Sequence, residues 1–93
     1  MDFKESFKWY QKAGDQGLSG AQFQLGYMYA KGKGVLRDDV AAYAWWKISE
    51  ANGLAVAKKN LDILKRRMSP FQIAKTQKLS KEMIKKNPKL LNK

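Results

Sequence analysis

Ninety-three residues with 44% hydrophobic and 12% aromatic content suffice for one small domain with a modest core and exclude a disordered chain. No apolar run approaches the roughly 18 residues of a membrane span, and the absence of cysteine and histidine removes disulfides, thiol nucleophiles, imidazole bases and most zinc sites. The net charge of +11 is uneven, with seven Lys/Arg against six Asp/Glu in residues 1–50 but twelve against two in residues 51–93, which fits an acidic partner or a solvated lysine-rich surface.

Met1-Asp2-Phe3-Lys4-Glu5 is charged and periodic, unlike a signal peptide, so cytoplasmic residence is expected. Helical spacing then predicts a first helix over Asp2 to Gly14. Phe3, Phe7 and Tyr10 form one stripe and Ser6, Trp9 and Ala13 the next. Gly14 and Gly17 end it in a turn that permits positive φ. Ser19 is the expected N-cap of a second helix, with Gln22 completing a capping box. Ala21, Leu25, Met28 and Tyr29 continue its apolar face, and the small Ala21 and Gly26 permit a close helix approach.

Lys31-Gly32-Lys33-Gly34-Val35 breaks this helix. A phosphate loop needs a different glycine spacing after a strand, so the segment reads as a terminator with Val35 tucked inwards. Asp38 or Asp39 caps a third helix that ends near Asn52-Gly53. Tyr43, Trp45 and Trp46 could stack bases, but their helical spacing assigns them to a core. Leu54 to Met68 reads as a fourth helix, with Leu54, Ala57, Leu61 and Leu64 inside. Ser69-Pro70-Phe71-Gln72 then carries an N-cap, a first-position proline and a capping-box glutamine. It launches a fifth helix to about Lys86 whose inner stripe is Ile73, Thr76, Gln77, Ser80, Met83 and Ile84. Asn87-Pro88 stops it, and residues 88–93 are expected to fray.

The stretch Trp9–Leu25 returns 36 residues later as Trp45–Leu61: Trp9 over Trp45, Gly17 over Gly53, Leu18 over Leu54, Ala21 over Ala57, Leu25 over Leu61. A period in the mid-thirties signals stacked helical hairpins, which bury their apolar faces only against neighbours. The expected architecture is all-α: an α/α solenoid, TPR-like, of two helix-turn-helix repeats plus a C-terminal closing helix. It forms a single domain over 1–93, with repeat one at 2–37, repeat two at 38–68, the closing helix at 69–87 and the frayed tail at 88–93.

Trp9-Tyr10-Gln11-Lys12-Ala13, Gln16-Gly17, Ala21-Gln22, Leu25-Gly26-Tyr27-Met28-Tyr29 and Gly32-Lys33-Gly34-Val35 closely resemble the Sel-one-like repeat (SLR), a relative of the tetratricopeptide repeats. Asp38 to Leu64 resembles a degenerate second copy, with Asp62 where the first has Gly26. Met68-Ser69-Pro70-Phe71-Gln72-Ile73-Ala74 resembles the closing helix of bacterial members. The resemblance implies a non-enzymatic adaptor that holds other proteins together, without a cofactor. Unlike disulfide-linked members, this chain has no cysteine.

Three surfaces are candidate sites. A groove on the first helix of each hairpin would hold an acidic peptide or helix through Lys4, Lys8, Gln11, Lys12 and Lys47. Phe3, Phe7 and Tyr10 lack a preceding hairpin and would pair with a second copy or with a missing N-terminal partner segment. The alternative function is nucleic-acid or acidic-surface binding through Lys58, Lys59, Arg66, Arg67, Lys75, Lys78 and Lys81, although no nucleic-acid motif is present.

Overall fold

The computed structural model describes residues 2–92. Five helices follow one another: α1 (Phe3–Asp15), α2 (Ser19–Lys31), α3 (Asp39–Ala51), α4 (Val56–Lys65) and α5 (Pro70–Lys86), then a 3-10 turn at Pro88–Leu90. No strand occurs among the described residues. The helices form an α/α solenoid of two hairpins with a closing helix, as the 36-residue repeat predicts.

Local chemistry sets most boundaries. Asp2 caps α1 by accepting a hydrogen bond from the Glu5 amide, and Asp38 caps α3 by accepting from Ala41. Asp39 therefore falls in the first turn of α3, where it pairs with Arg37 and Arg67. The capping box at Ser69 is complete: the Gln72 amide donates to Ser69 Oγ, and the Ser69 amide to Gln72 Oε1. Gly17 ends the first turn at φ +93° and lies so close to the tail that a Cβ would stand 2.6 Å from the Lys89 carbonyl oxygen. Only glycine meets both demands. Val35 is half-buried.

Three expectations are corrected. Ser19 is not a cap but the first residue of α2. Leu18 precedes it without a side-chain bond, and Gln22 is drawn into the interior instead. The fourth helix is shorter than Leu54–Met68, because Ala55 supplies no side-chain cap at its start and the chain turns after Lys65, with Met68 buried in that turn. Residues 88–92 do not fray. Asn87 accepts the Lys89 amide to start a 3-10 turn, and Leu90 is inserted into the core at 2% exposure. Lys93 lies outside the described residues.

The core has two lobes around α3. One joins Ala30, Ala42, Tyr43, Trp46, Ala57, Leu61, Leu64 and Met68. The other joins Leu25, Trp45, Ile48 and Leu90, with Phe7, Tyr10, Tyr29, Met83 and Ile84 packed against it. Tyr43, Trp45 and Trp46 are core residues, as their register requires. Helix α3 packs against α2, α4 and α5, so that only Lys47 and Ala51 of its thirteen residues are exposed. The closing helix lies along α3, with Thr76 Oγ1 donating to the Val40 carbonyl at 2.8 Å.

Candidate functional site

The seam between the hairpins is held by side-chain amides that reach backbone. Gln22 Nε2 donates to the carbonyls of Gly14 and Leu90, both at 2.9 Å. Asn52 Nδ2 donates to Gln22 Oε1 at 2.8 Å and to the Leu90 carbonyl at 2.7 Å, and Asn52 Oδ1 accepts the Asn92 amide. Asn87 Nδ2 donates to the Asp15 carbonyl. Gln22 is wholly buried, and among the described residues no buried side-chain polar atom lacks a partner. This network is structural. It spends its donors on the chain's own tail and leaves none for a ligand.

An open cleft of about 250 Å³ lies where Tyr27, Ala30 and Lys31 of α2 face Asn60, Ile63 and Leu64 of α4, with Arg67 at its edge and Trp46 among its walls. The indole reaches this depth because Gly26 has no side chain: a Cβ there would overlap the Trp46 ring, standing 2.8 Å from Cε2 and closer still to Cδ1 and Nε1. Trp46 Nε1 donates to the Phe23 carbonyl at 3.0 Å, which fixes the ring. Tyr27 and Ile63 are exposed beside it. The cleft joins an apolar wall to two cations, Lys31 and Arg67, and no carboxylate lines it.

Helix α1 carries most of the sequence-predicted groove. Lys4, Lys8 and Lys12 are exposed on it; Gln11 turns to Asp15, donating at 2.9 Å. Lys47, on α3, pairs with Glu50. Lys8 and Lys12 flank Trp9, and the Lys12 ammonium stands 5.7 Å from the Trp9 ring centroid.

Of the aromatic residues expected to be uncovered, Phe3 is exposed, with the Lys33 ammonium over its ring. Phe7 and Tyr10 are not uncovered. Phe7 meets Tyr29 edge to face at 5.5 Å, and both pack on the lobe that contains Leu90, Met83 and Ile84. Both thus gain partners from the chain's own α2 and from the lobe that holds Leu90. Trp9, by contrast, is exposed at 65%.

The basic residues divide between two helices. Lys58 and Lys59 lie on α4 with Arg66 and Arg67 just after it, and Lys75, Lys78 and Lys81 lie on α5; all are exposed. Arg67 is paired with Asp39, and Lys75 sits over the Phe71 ring. Among the described residues no cluster of three or more Asp/Glu could hold a metal, and no helix is long and apolar enough to cross a membrane. Two tyrosines are perturbed. Burial, aided by Asp38, raises Tyr29 above its ordinary pKa. Burial, aided by Asp62 and Glu50, raises Tyr43. Neither tyrosine is among the residues that line the cleft.

Sequence reasoning missed the cleft. Its signal was present in the register: Gly26 pairs with Asp62 and Tyr27 with Ile63 across the 36-residue repeat. The second hairpin therefore keeps an apolar residue on its outer helix where it would otherwise be solvated.

Comparison with known proteins agrees with this geometry. The Sel1 repeat profile matches residues 2–18 and 19–54, so the second match takes α2 and α3 as one unit. The chain is 41% identical over 51 residues to the chitin synthase regulator SKT5 of Saccharomyces cerevisiae, covering 55% of this chain and 7% of that protein. It is 36% identical over 59 residues to chitin synthase regulatory factor 3 of Schizosaccharomyces pombe, covering 63% of this chain and 6% of that protein. Among solved structures it is similar to c5321, a protective antigen present in uropathogenic Escherichia coli strains that displays an SLR fold. That likeness has a TM-score of 0.87 and 35% identity, and covers 96% of this chain and 20% of the other. The chain thus spans under a tenth of the curated relatives it matches and a fifth of the solved one. Two hairpins in register, closed by a helix and matched by the repeat profile over more than half their length, make this chain a member of the Sel1 repeat family.

Proposed function

We propose that the chain is a non-enzymatic protein-interaction module, an adaptor that docks a partner segment in the cleft between α2 and α4. The observation that carries this reading is the cleft itself: an apolar wall of Tyr27, Ile63, Leu64 and Trp46, with Lys31 and Arg67 beside it and no carboxylate in its lining, although Arg67 also reaches Asp39 outside it. Such a site suits a short segment with one bulky apolar anchor followed by Asp or Glu. The anchor would bury against the indole, and the carboxylates would meet cations that are half-solvated and so contribute more to specificity than to affinity. The regulatory roles named for the two yeast relatives accord with an adaptor.

A displayed library of random linear peptides tests this. Selection on the folded chain should enrich sequences that join an aromatic or large aliphatic residue to acidic ones. Binding should fall at least tenfold with Ile63→Asp or Arg67→Glu, both at exposed positions. Enrichment of sequences whose binding ignores both variants would remove the cleft from the proposal.

A further inference from the structure

We infer that the outer face of α1 is a homodimer interface, in which a second copy lays its own α1 antiparallel across Trp9. This goes beyond the adaptor reading and does not depend on it. The internal repeat supplies the first argument. Trp9 and Trp45 are register partners, yet Trp45 is 5% exposed and Trp9 65%. Trp45 is buried because it packs with Leu25 and stands over Gly14, where a Cβ would lie 3.6 Å from its ring. Trp9 has no such seat within the chain. A tryptophan exposed to this extent, while its register partner is buried, is a candidate for cover by association.

Charge supplies the second argument and selects the partner. Glu5, Lys8, Trp9 and Lys12 line one shallow depression, one turn apart along the helix. In a two-fold interface, if residue i meets residue j then j meets i. An axis passing α1 between Lys8 and Trp9 puts Glu5 opposite Lys12 of the second copy, and Lys12 opposite its Glu5. The two residues are equally far, about 5 Å along the helix, from that axis. Glu5 and Lys12 are thus matched only when antiparallel, and Lys8, which meets its own copy beside Trp9, is the one like-charge contact of the stripe. Among the described residues neither Glu5 nor Lys12 takes part in an ion pair within its own chain. Trp9 then stacks near its own copy at the centre, enclosed by the two pairs.

A head-to-tail stack is disfavoured. To seat Trp9, the second hairpin would have to repeat the Gly14 and Leu25 seat. Its register partners are Glu50 and Leu61, and a glutamate fills the place of the glycine. The interface therefore closes as a dimer instead of propagating. One helix pair buries an area at the low end of specific interfaces, so a dissociation constant in the range of about 10–100 µM is expected.

Sedimentation velocity of the full chain over roughly 5–500 µM reads this directly. The wild-type chain should pass from monomer to dimer. Glu5→Lys and Lys12→Glu should each weaken the dimer at least tenfold, since each places two like-charge contacts in every dimer. The double variant Glu5→Lys/Lys12→Glu should return to within about threefold of wild type. Trp9→Ala should weaken the dimer tenfold or more. Circular dichroism checks that each variant keeps its helices. A chain that stays monomeric throughout overturns the inference, as does a dimer indifferent to the single charge reversals. So does failure of the double variant to recover while its helical signal and melting match wild type. Because the chain has no cysteine, Lys8→Cys gives an independent arm. Under oxidation it should form a disulfide-linked dimer, and Glu5→Lys should suppress that product; equal yields with and without Glu5→Lys count against the interface.

Discussion

Adding one methyl group at Gly26 tests the packing between the hairpins more sharply than any truncation. In an isolated helix, Gly→Ala stabilises by about 1 kcal/mol. Here the new Cβ would overlap the Trp46 indole, and the ring has little room to retreat. It is 5% exposed, packs at 6.2 Å on Phe23, and donates Nε1–H to the Phe23 carbonyl. Overpacking of this kind costs about 1–3 kcal/mol, and displacing the ring forfeits a hydrogen bond of about 1 kcal/mol. After the helix gain is subtracted, Gly26→Ala should be less stable by about 1–3 kcal/mol, a fall in Tm on the order of 10 °C. Gly20 is the control. It lies on the same helix with nothing within 4 Å of its would-be Cβ, so Gly20→Ala should stabilise by about 0.4–1 kcal/mol. Urea unfolding, followed by tryptophan fluorescence and circular dichroism, measures both. If Gly26→Ala proves as stable as Gly20→Ala, the close approach of Trp46 does not hold the hairpins together.

Three further outcomes follow from the seam and the core. Leu90→Ala should cost about 2–5 kcal/mol, and hydrogen exchange should then accelerate at the Leu90, Leu91 and Asn92 amides before it does in α3. Gln22→Ala removes its donations to the Gly14 and Leu90 carbonyls, which keep the Gly17 amide and Asn52 Nδ2 as donors, and leaves a cavity; it should cost about 1–3 kcal/mol. Gln22→Glu would set a buried carboxylate against the same carbonyls, and its variant should regain stability as the pH is lowered, when the acid form can donate. For Tyr29 and Tyr43 the folded pKa lies above the ordinary 10.0, so folding favours the neutral phenol. Their contribution is complete below pH 10 and is lost as the pH rises through and beyond it. Tyr43→Phe should therefore flatten the alkaline fall in Tm.

Helix order, the capping box at Ser69, and the burial of Tyr43, Trp45 and Trp46 were legible because each rests on spacing within one or two turns or on the 36-residue register. The anchored tail was not. Leu90 is held by residues far away in the chain: it packs with Leu25, Trp45 and Ile48, and Gln22 and Asn52, 68 and 38 residues away, donate to its carbonyl. No local pattern records that, and Gln22 three residues after Ser19 imitates a capping box. The partial burial of Phe7 and Tyr10 was hidden for the same reason: both pack on a lobe that includes Leu90, far along the chain. Register reasoning did contain the exposure of Trp9, since the argument for an uncovered ring applies to every counterpart of a residue that packs backwards. The small residue at Gly26 was legible, but that the Trp46 ring is what fills its space, and so walls a cleft, needed coordinates.

The dependence of Gln22 on residues 87–92 also orders events during synthesis. Each hairpin can form from neighbours soon after it leaves the ribosome. Gln22 meets the Gly14 carbonyl early, but its second acceptor, the Leu90 carbonyl, emerges 68 residues later. Until then the seat of Leu90 beside Leu25, Trp45 and Ile48 stands open to water, and any chaperone reading exposed leucine and tryptophan has its longest opportunity there. A nascent chain stalled after Lys86 should accordingly be far easier to digest between α1 and α2 than one stalled with Leu90 free to dock.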